Sequence, residues 1–571
     1  MRQRVDGSHL IARAIAGTHV VTLAWDLVDR SAVDGDDLMG FAIERSRLAP
    51  DGTSAGTHWL TGIKRFRDKD PELEAGTPVP TSRHPIQSFQ WADYTAEPGR
   101  KYEYRVMPVR GTPEDCAPVE PEATVVAVAT ERPASAPGEG EPRHDVFFNR
   151  GVAGSQGYAR LFPDAAPDQD RPDSDQMKWL SRGLFEALTD FIGRAAGEDA
   201  GDYGLRAMLY EFRYGPVGLA FRRAADAGAD VDIRYEAQTY REDNEDMIGG
   251  AGIGDLCSPQ RSRAGIRHNK FIVLLHHGEP IAVWTGSTNI SPGGIFGHSN
   301  VGHVVHDREV ARRYLEYWGR LAADDVTAAP LRAANVAAEP TPAPGEAPPA
   351  GRIMTLFSPR DPKDPGTTSP TLAWYAGLLR SATRLACMTV AFNFDPVFQE
   401  ALRGEADALS YLVFDKAMEQ QRETEVRRNR NTVLAVGGML EEDDFELFLG
   451  ERLTGFNRNR YIHDKFLLVD PLSDDPIVVT GSANFSEPSQ ETNDENMLVI
   501  RGNTRVADIY FGEFMRIFDH HYSRYIVGRM RDEGSHDPDA GFLKRKTSDW
   551  APGHFRSGLK SKRRRVFVDA A

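Results

Sequence analysis

Residues 268–270 read His-Asn-Lys and residues 463–465 read His-Asp-Lys, and each is followed by an apolar run and then by Gly-Ser-X-Asn, at 286–289 and 481–484. The same sparse polar signature, written twice 195 residues apart, is too widely spaced for a solenoid repeat and calls for two similar units packed together. On a strand, residues i and i+2 share a face. His268 and Lys270 therefore project together while Asn269 points away, and His463 and Lys465 do the same around Asp464. The following runs, "IAVWTGSTN" and "PIVVTGSAN", read as neighbouring strands that end in turns carrying Ser287 and Asn289, then Ser482 and Asn484. Each unit thus offers an imidazole, an ammonium, a hydroxyl and an amide, with no evident metal-ligand set. Such a donor-rich group suits a phosphoryl group, whose oxygens need positive charge and hydrogen-bond donors and whose phosphorus a neutral imidazole can attack.

The duplication matches the demands of phosphodiester chemistry. One group must attack phosphorus and another, on the opposite side, must protonate the departing oxygen; two histidines facing each other across a pseudo-twofold axis supply both. No cofactor and no metal are expected. His276-His277 falls at a hairpin tip, His520-His521 on an amphipathic helix and Asp474-Asp475 in a turn, so these read as surface, packing and turn residues.

The flanking pattern fixes the fold class: an N-terminal β-sandwich followed by two α/β halves with mixed sheets. Residues 1–131 carry short β-branched or alternating runs separated by Gly, Pro and Asp, and 132–144 form a linker. The first half spans 145–327. A Pro/Ala-rich connector at 328–352, with five prolines between 340 and 349, reads as extended and solvated. The second half spans 353–540 and a basic tail 541–571, with nine Lys or Arg against one acid between Lys544 and Arg565. That tail reads as a contact for nucleic acid or anionic lipid, or as a solvated end.

"HDKFLLVDPLSDDPIVVTGSANFS" and "HNKFIVLLHHGEPIAVWTGSTNIS" resemble the HxKxxxxD and GSxN motifs of the phospholipase D superfamily, and "EPGRKYEYRVMPV" resembles the corner of a fibronectin type III domain, with Tyr102 as its corner tyrosine. The first resemblance implies a phosphodiesterase. His268, Lys270, Asn289, His463, Lys465, Asn484, Asp470 and Glu495 would be its catalytic residues, with a phosphohistidine on His268 and His463 as acid. It further implies phospholipid or nucleic acid as substrate. The second implies a spacer or a surface that docks a protein partner. The first copy departs from the motif: Leu275 stands where the second has Asp470, and Gly302 is matched with Glu495, which is expected to orient His463. The alternative reading is a phosphate-ligand or nucleic-acid binder with a degenerate first motif.

Composition narrows the remainder. A net charge of −16 over 571 residues argues against a surface that is a polyanion trap throughout, so local charge matters. Ser287, Ser482, Arg267 and Arg460 are expected to bind substrate, and Arg261, Arg263, Arg458, Arg427, Arg428 and Arg430 to add to a cationic approach. Three scattered cysteines indicate neither a disulfide framework nor a cysteine zinc site. Arg13 interrupts the N-terminal apolar stretch, so no secretory leader is expected. No apolar run reaches the roughly 18–20 residues that span a bilayer, and a cytoplasmic protein is expected.

Overall fold

The computed structural model describes residues 1–133, 143–151, 155–162, 167–260, 265–323, 327–362, 367–392, 394–403, 407–440, 448–449, 451, 461–532, 539 and 541–569. Two seven-stranded mixed sheets have the same strand order. The first runs His144–Phe148, Val301–Val305, Glu279–Gly286, Lys270–His276, Tyr203–Leu209, Asp230–Tyr235, Cys257–Pro259. The second runs Met354–Ser358, Glu495–Arg501, Ile477–Gly481, Phe466–Val469, Leu385–Val390, Leu409–Phe414, Thr432–Val436. In each, the last three strands are parallel and the rest antiparallel. Duplicated sequence has become duplicated topology.

The strands after the signatures show how. Along Lys270–His276, Ile272 and Leu274 face a core private to the first half, whereas Phe271, Val273 and Leu275 join a core shared with the second. Along Phe466–Val469, Leu467 and Val469 face the private core of the second half, and Phe466 and Leu468 the shared one. Period-two alternation thus gives each strand two apolar faces with different partners. Helices Arg308–Ala322 and Thr504–Asp532 contribute Tyr314, Tyr317, Tyr510 and Phe514 to the shared core. Asp307 caps the former by accepting from the backbone N–H groups of Glu309 and Val310.

Near the N-terminus, a four-stranded and a five-stranded antiparallel sheet enclose a core built on Trp25, Phe41, Tyr102 and Tyr104. The arrangement fits a β-sandwich. Tyr102 is buried and its hydroxyl accepts from Glu97 N at 2.9 Å.

Two expectations change. The connector at 328–352 opens with a helix, Ala328–Ala338, that buries Leu331 and Asn335; Glu339 follows it, buried and paired with Arg313 and Arg352. The basic tail is folded against the rest of the chain. Trp550 enters the N-terminal core, Phe567 and Val568 enter the shared core, and the guanidinium of Arg564 donates to the carboxylate of Asp26, both buried. Among the described residues no helix is long and apolar enough to cross a membrane. Residues 134–142 of the first linker and Arg261, Arg263, Arg458 and Arg460 lie outside the described residues.

Candidate active site

The two signatures meet at the seam between the halves through matched backbone bonds. His268 N donates to Asp494 O at 3.1 Å and Asp494 N to Ile266 O at 2.9 Å; His463 N donates to Ser299 O at 3.1 Å and Ser299 N to Tyr461 O at 2.9 Å. Each signature is therefore stitched to the other half's strand, and the pairs Arg267–Asp494 and Ser299–Ile462 are parallel bridges.

Side chains follow the same exchange. His268 Nδ1 lies 2.9 Å from Glu495 Oε2, and His463 Nδ1 lies 2.9 Å from Asn300 Oδ1. Glu495 thus orients His268, not His463 as the sequence suggested. Gly302 is not its counterpart either. Gly302 pairs with Gly286 and Met497 with Gly481, which makes Asn300 the equivalent of Glu495. The signal was present in the sequence: Asn300 follows Ser287, and Glu495 follows Ser482, by 13 residues each.

Ser287 and Ser482, expected at the substrate, support these orienters instead. Ser287 Oγ donates to Asn300 Oδ1 at 2.8 Å and accepts from Val301 N; Ser482 Oγ donates to Glu495 Oε2 at 2.7 Å and accepts from Asn496 N. Because Asn300 Nδ2 donates to Gly294 O at 2.7 Å, its Oδ1 faces His463, and Nδ1 of that histidine must carry the proton. Among the described residues neither His268 nor His463 has a hydrogen bond at Nε2. Both therefore turn that nitrogen away from their orienters.

Lys270 Nζ donates to His268 O at 2.6 Å and Lys465 Nζ to His463 O at 2.5 Å. An aromatic ring flanks each pair: Tyr210 packs 4.7 Å from the His268 ring and 4.9 Å from Lys270 Nζ, and Phe392 lies 6.0 Å from the His463 ring and 5.6 Å from Lys465 Nζ. Asn289 and Asn484 are a matched pair whose Oδ1 atoms are buried without a hydrogen-bond partner among the described residues. The His298 ring lies 4.8 Å from that of His463. A cavity of about 800 Å³, lined among others by Glu211, Arg213, Tyr240, Asp243, Ser291 and His298, borders the site.

Burial dominates the electrostatics. Desolvation lowers His268 while Glu495 opposes it, and lowers Lys270 to about 7. His463 is held well below its usual value by burial and then by Lys465, His298, Lys270 and His268. Two imidazoles and two lysines thus act on one another, and their titrations are coupled.

Two predicted residues stand elsewhere. Asp470 lies at the far end of strand Phe466–Val469, where its carboxylate accepts from the N–H groups of Thr383, Arg384 and Leu385 and from the Thr383 hydroxyl. It fastens one strand to the start of its neighbour and does not reach the histidines. Arg267 is buried, donating to Gly265 O at 2.7 Å and lying 3.7 Å from Asp494 Oδ2. Its charge is used inside the seam.

Paired histidines at the joint of two like α/β sheets define the class: a duplicated fold with one composite site. The family model described as cardiolipin synthase, PLD-like domain, matches residues 439–520, the stretch holding His463, Lys465, Ser482, Asn484 and Glu495. Residues 439–520 are thus similar to the PLD-like domain that this family model describes. No curated protein matches its sequence. Among solved structures it is similar to phosphatidylserine synthase of Haemophilus influenzae, at 12% identity over 61% of this chain and 91% of that one, with a TM-score of 0.39. It is also similar to Nuc from Salmonella typhimurium, at 17% identity over 30% and 95%, TM-score 0.21. The match to polyphosphate kinase from Porphyromonas gingivalis, at 12% identity, covers 55% of this chain and 46% of the kinase, TM-score 0.35.

Proposed function

We propose that the chain hydrolyses or transfers phosphodiester groups through a phosphohistidine on His268, with His463 as general acid and then general base. The observation that carries this reading is the unequal pair of orienters, a carboxylate behind His268 and an amide behind His463. A carboxylate at Nδ1 fixes the tautomer that leaves the Nε2 lone pair free, and it offsets the positive charge the ring acquires when Nε2 bonds to phosphorus. As that bond forms, the phosphorus–oxygen bond to the leaving alcohol breaks and the alcohol oxygen takes the proton of His463. Water then attacks phosphorus, gives a proton back to His463, and His268 departs.

His463 needs that proton at the start, although its neighbours hold its pKa low. An arriving phosphodiester brings a negative charge among Lys270, Lys465 and both rings, which favours the imidazolium. Protonation of the acid is thereby tied to occupancy. The lysines and Asn289 and Asn484 would hold the phosphate oxygens. The absence of a carboxylate from the first copy, which had favoured a degenerate binder, no longer counts against catalysis, since Glu495 lies beside His268.

The test is hydrolysis of bis(p-nitrophenyl) phosphate, of phospholipid vesicles and of single- and double-stranded DNA, all in EDTA. Turnover of at least one, lowered about 10³-fold or more in both His268→Ala and His463→Ala, is expected, and the substrate that turns over separates lipid from nucleic acid. Folded protein that cleaves none of them while still binding phosphate ligands would establish the binder instead.

A further inference from the structure

The pair His276-His277 closes the hairpin between strands Lys270–His276 and Glu279–Gly286. His277 and Gly278 both have left-handed backbones, with φ of +51° and +79°, as a two-residue type I′ turn requires. On an extended strand two consecutive side chains point to opposite faces. Here the turn reverses the chain between them, and the two imidazole rings come within 4.1 Å, centroid to centroid. Tyr203, the register partner of His276, lies 4.6 Å from that ring.

A third group joins them from 74 residues earlier. Asp202 lies in the turn before strand Tyr203–Leu209. His277 N donates to Asp202 O at 2.6 Å, and His277 Nδ1 stands 3.4 Å from Asp202 Oδ1. One ligand atom from each of Asp202, His276 and His277 lies within 4.8 Å of the other two, and no other group of three or more His, Cys, Asp or Glu among the described residues is so placed. Bonds of about 2.1 Å in a tetrahedral zinc site set its ligands about 3.4 Å apart. Asp202 and His277, exposed by 52% and 64% of their side-chain surface, have room to rotate toward the half-buried His276.

We propose that Asp202, His276 and His277 form a binding site for a borderline divalent cation, zinc by preference, with a fourth position open to water. Two imidazoles and a carboxylate suit zinc better than the hard oxygen-seeking cations. The site lies at the end of the strand opposite Lys270, roughly 20 Å away at about 3.3 Å per residue. A metal there staples the hairpin tip to the preceding turn and takes no part at the histidines of the seam.

Calorimetric titration of the EDTA-stripped, dialysed full chain with Zn²⁺ tests this, with Co²⁺ absorption as a second readout. One zinc per chain is expected, with a visible Co²⁺ band of tetrahedral type. His277→Ala and Asp202→Asn should each weaken zinc at least tenfold and abolish the band, while Glu279→Gln, on the same hairpin, keeps both. The substituted side chains are exposed, so melting in EDTA should be unchanged and loss of binding is not loss of fold. Failure of the full chain to bind, or binding that survives both substitutions, overturns the site.

Discussion

Asp464 occupies in the second signature the place of Asn269 in the first, and the two have opposite fortunes. Asn269 is satisfied: its Oδ1 accepts from Asn496 at 2.8 Å and its amide donates to Tyr317 at 3.2 Å. The register equivalent of Asn496 on the other strand is Val301, which offers no side-chain donor. Both carboxylate oxygens of Asp464 are buried, and burial raises its pKa to about 7, offset only in part by the Ser299 hydroxyl and the charges of Lys465 and Arg516. Between about pH 4 and 7 the unfolded chain has lost this proton and the folded chain retains it, so stability falls as pH rises across that window. The loss reaches roughly 4 kcal/mol above pH 7. Asp464→Asn should therefore leave the urea midpoint nearly unchanged at pH 3.5 and raise it at pH 8. An equal gain at both pH values would rule out burial of the charge as the cause.

Strand order separates the site residues that local sequence displays from those that it hides. His268, Lys270, His463 and Lys465 follow from period two along a single strand, a local property that sequence carries directly. Asn300 depends on how two strands pair, which the linear sequence does not display, and a residue-by-residue match of the copies places Gly302 against Glu495, two positions out of register. Asp470 shows the converse. It fits a motif in sequence, yet the strand between it and Lys465 carries its carboxylate to the opposite sheet end, where four donors from Thr383–Leu385 hold it. Its backbone is left-handed, with φ +45°, which closes the strand there. Asp470→Ala is expected to cost about 1–3 kcal/mol of stability while phosphodiester turnover per folded molecule, measured below the melting range, changes less than threefold. A loss as large as that of His463→Ala would return Asp470 to the chemistry.

At the scale of the whole molecule the chain ends where it began. The C-terminal segment was legible as basic, but composition cannot report that Arg564 faces Asp26 or that Trp550 and Phe567 enter two different cores. Of the charges that read as a solvated tail, Arg564 is spent on folding, whereas Lys544, Arg545, Lys546, Arg556, Lys560 and Arg565 stay exposed. Removing one member of a buried pair strands the other, at about 3–5 kcal/mol. Asp26→Asn should lower stability by that order in thermal or urea unfolding, and Asp26→Asn combined with Arg564→Met should recover much of it. A melting curve untouched by Asp26→Asn would mean that this ion pair does not hold the tail and that its apolar contacts alone do. The exchange of orienters across the seam has a consequence of another kind, in inheritance. Neither half carries a histidine together with its own orienter, so a gene cut between them would encode two fragments that each need the other's product, and damage to Glu495 in one is felt at His268 in the other.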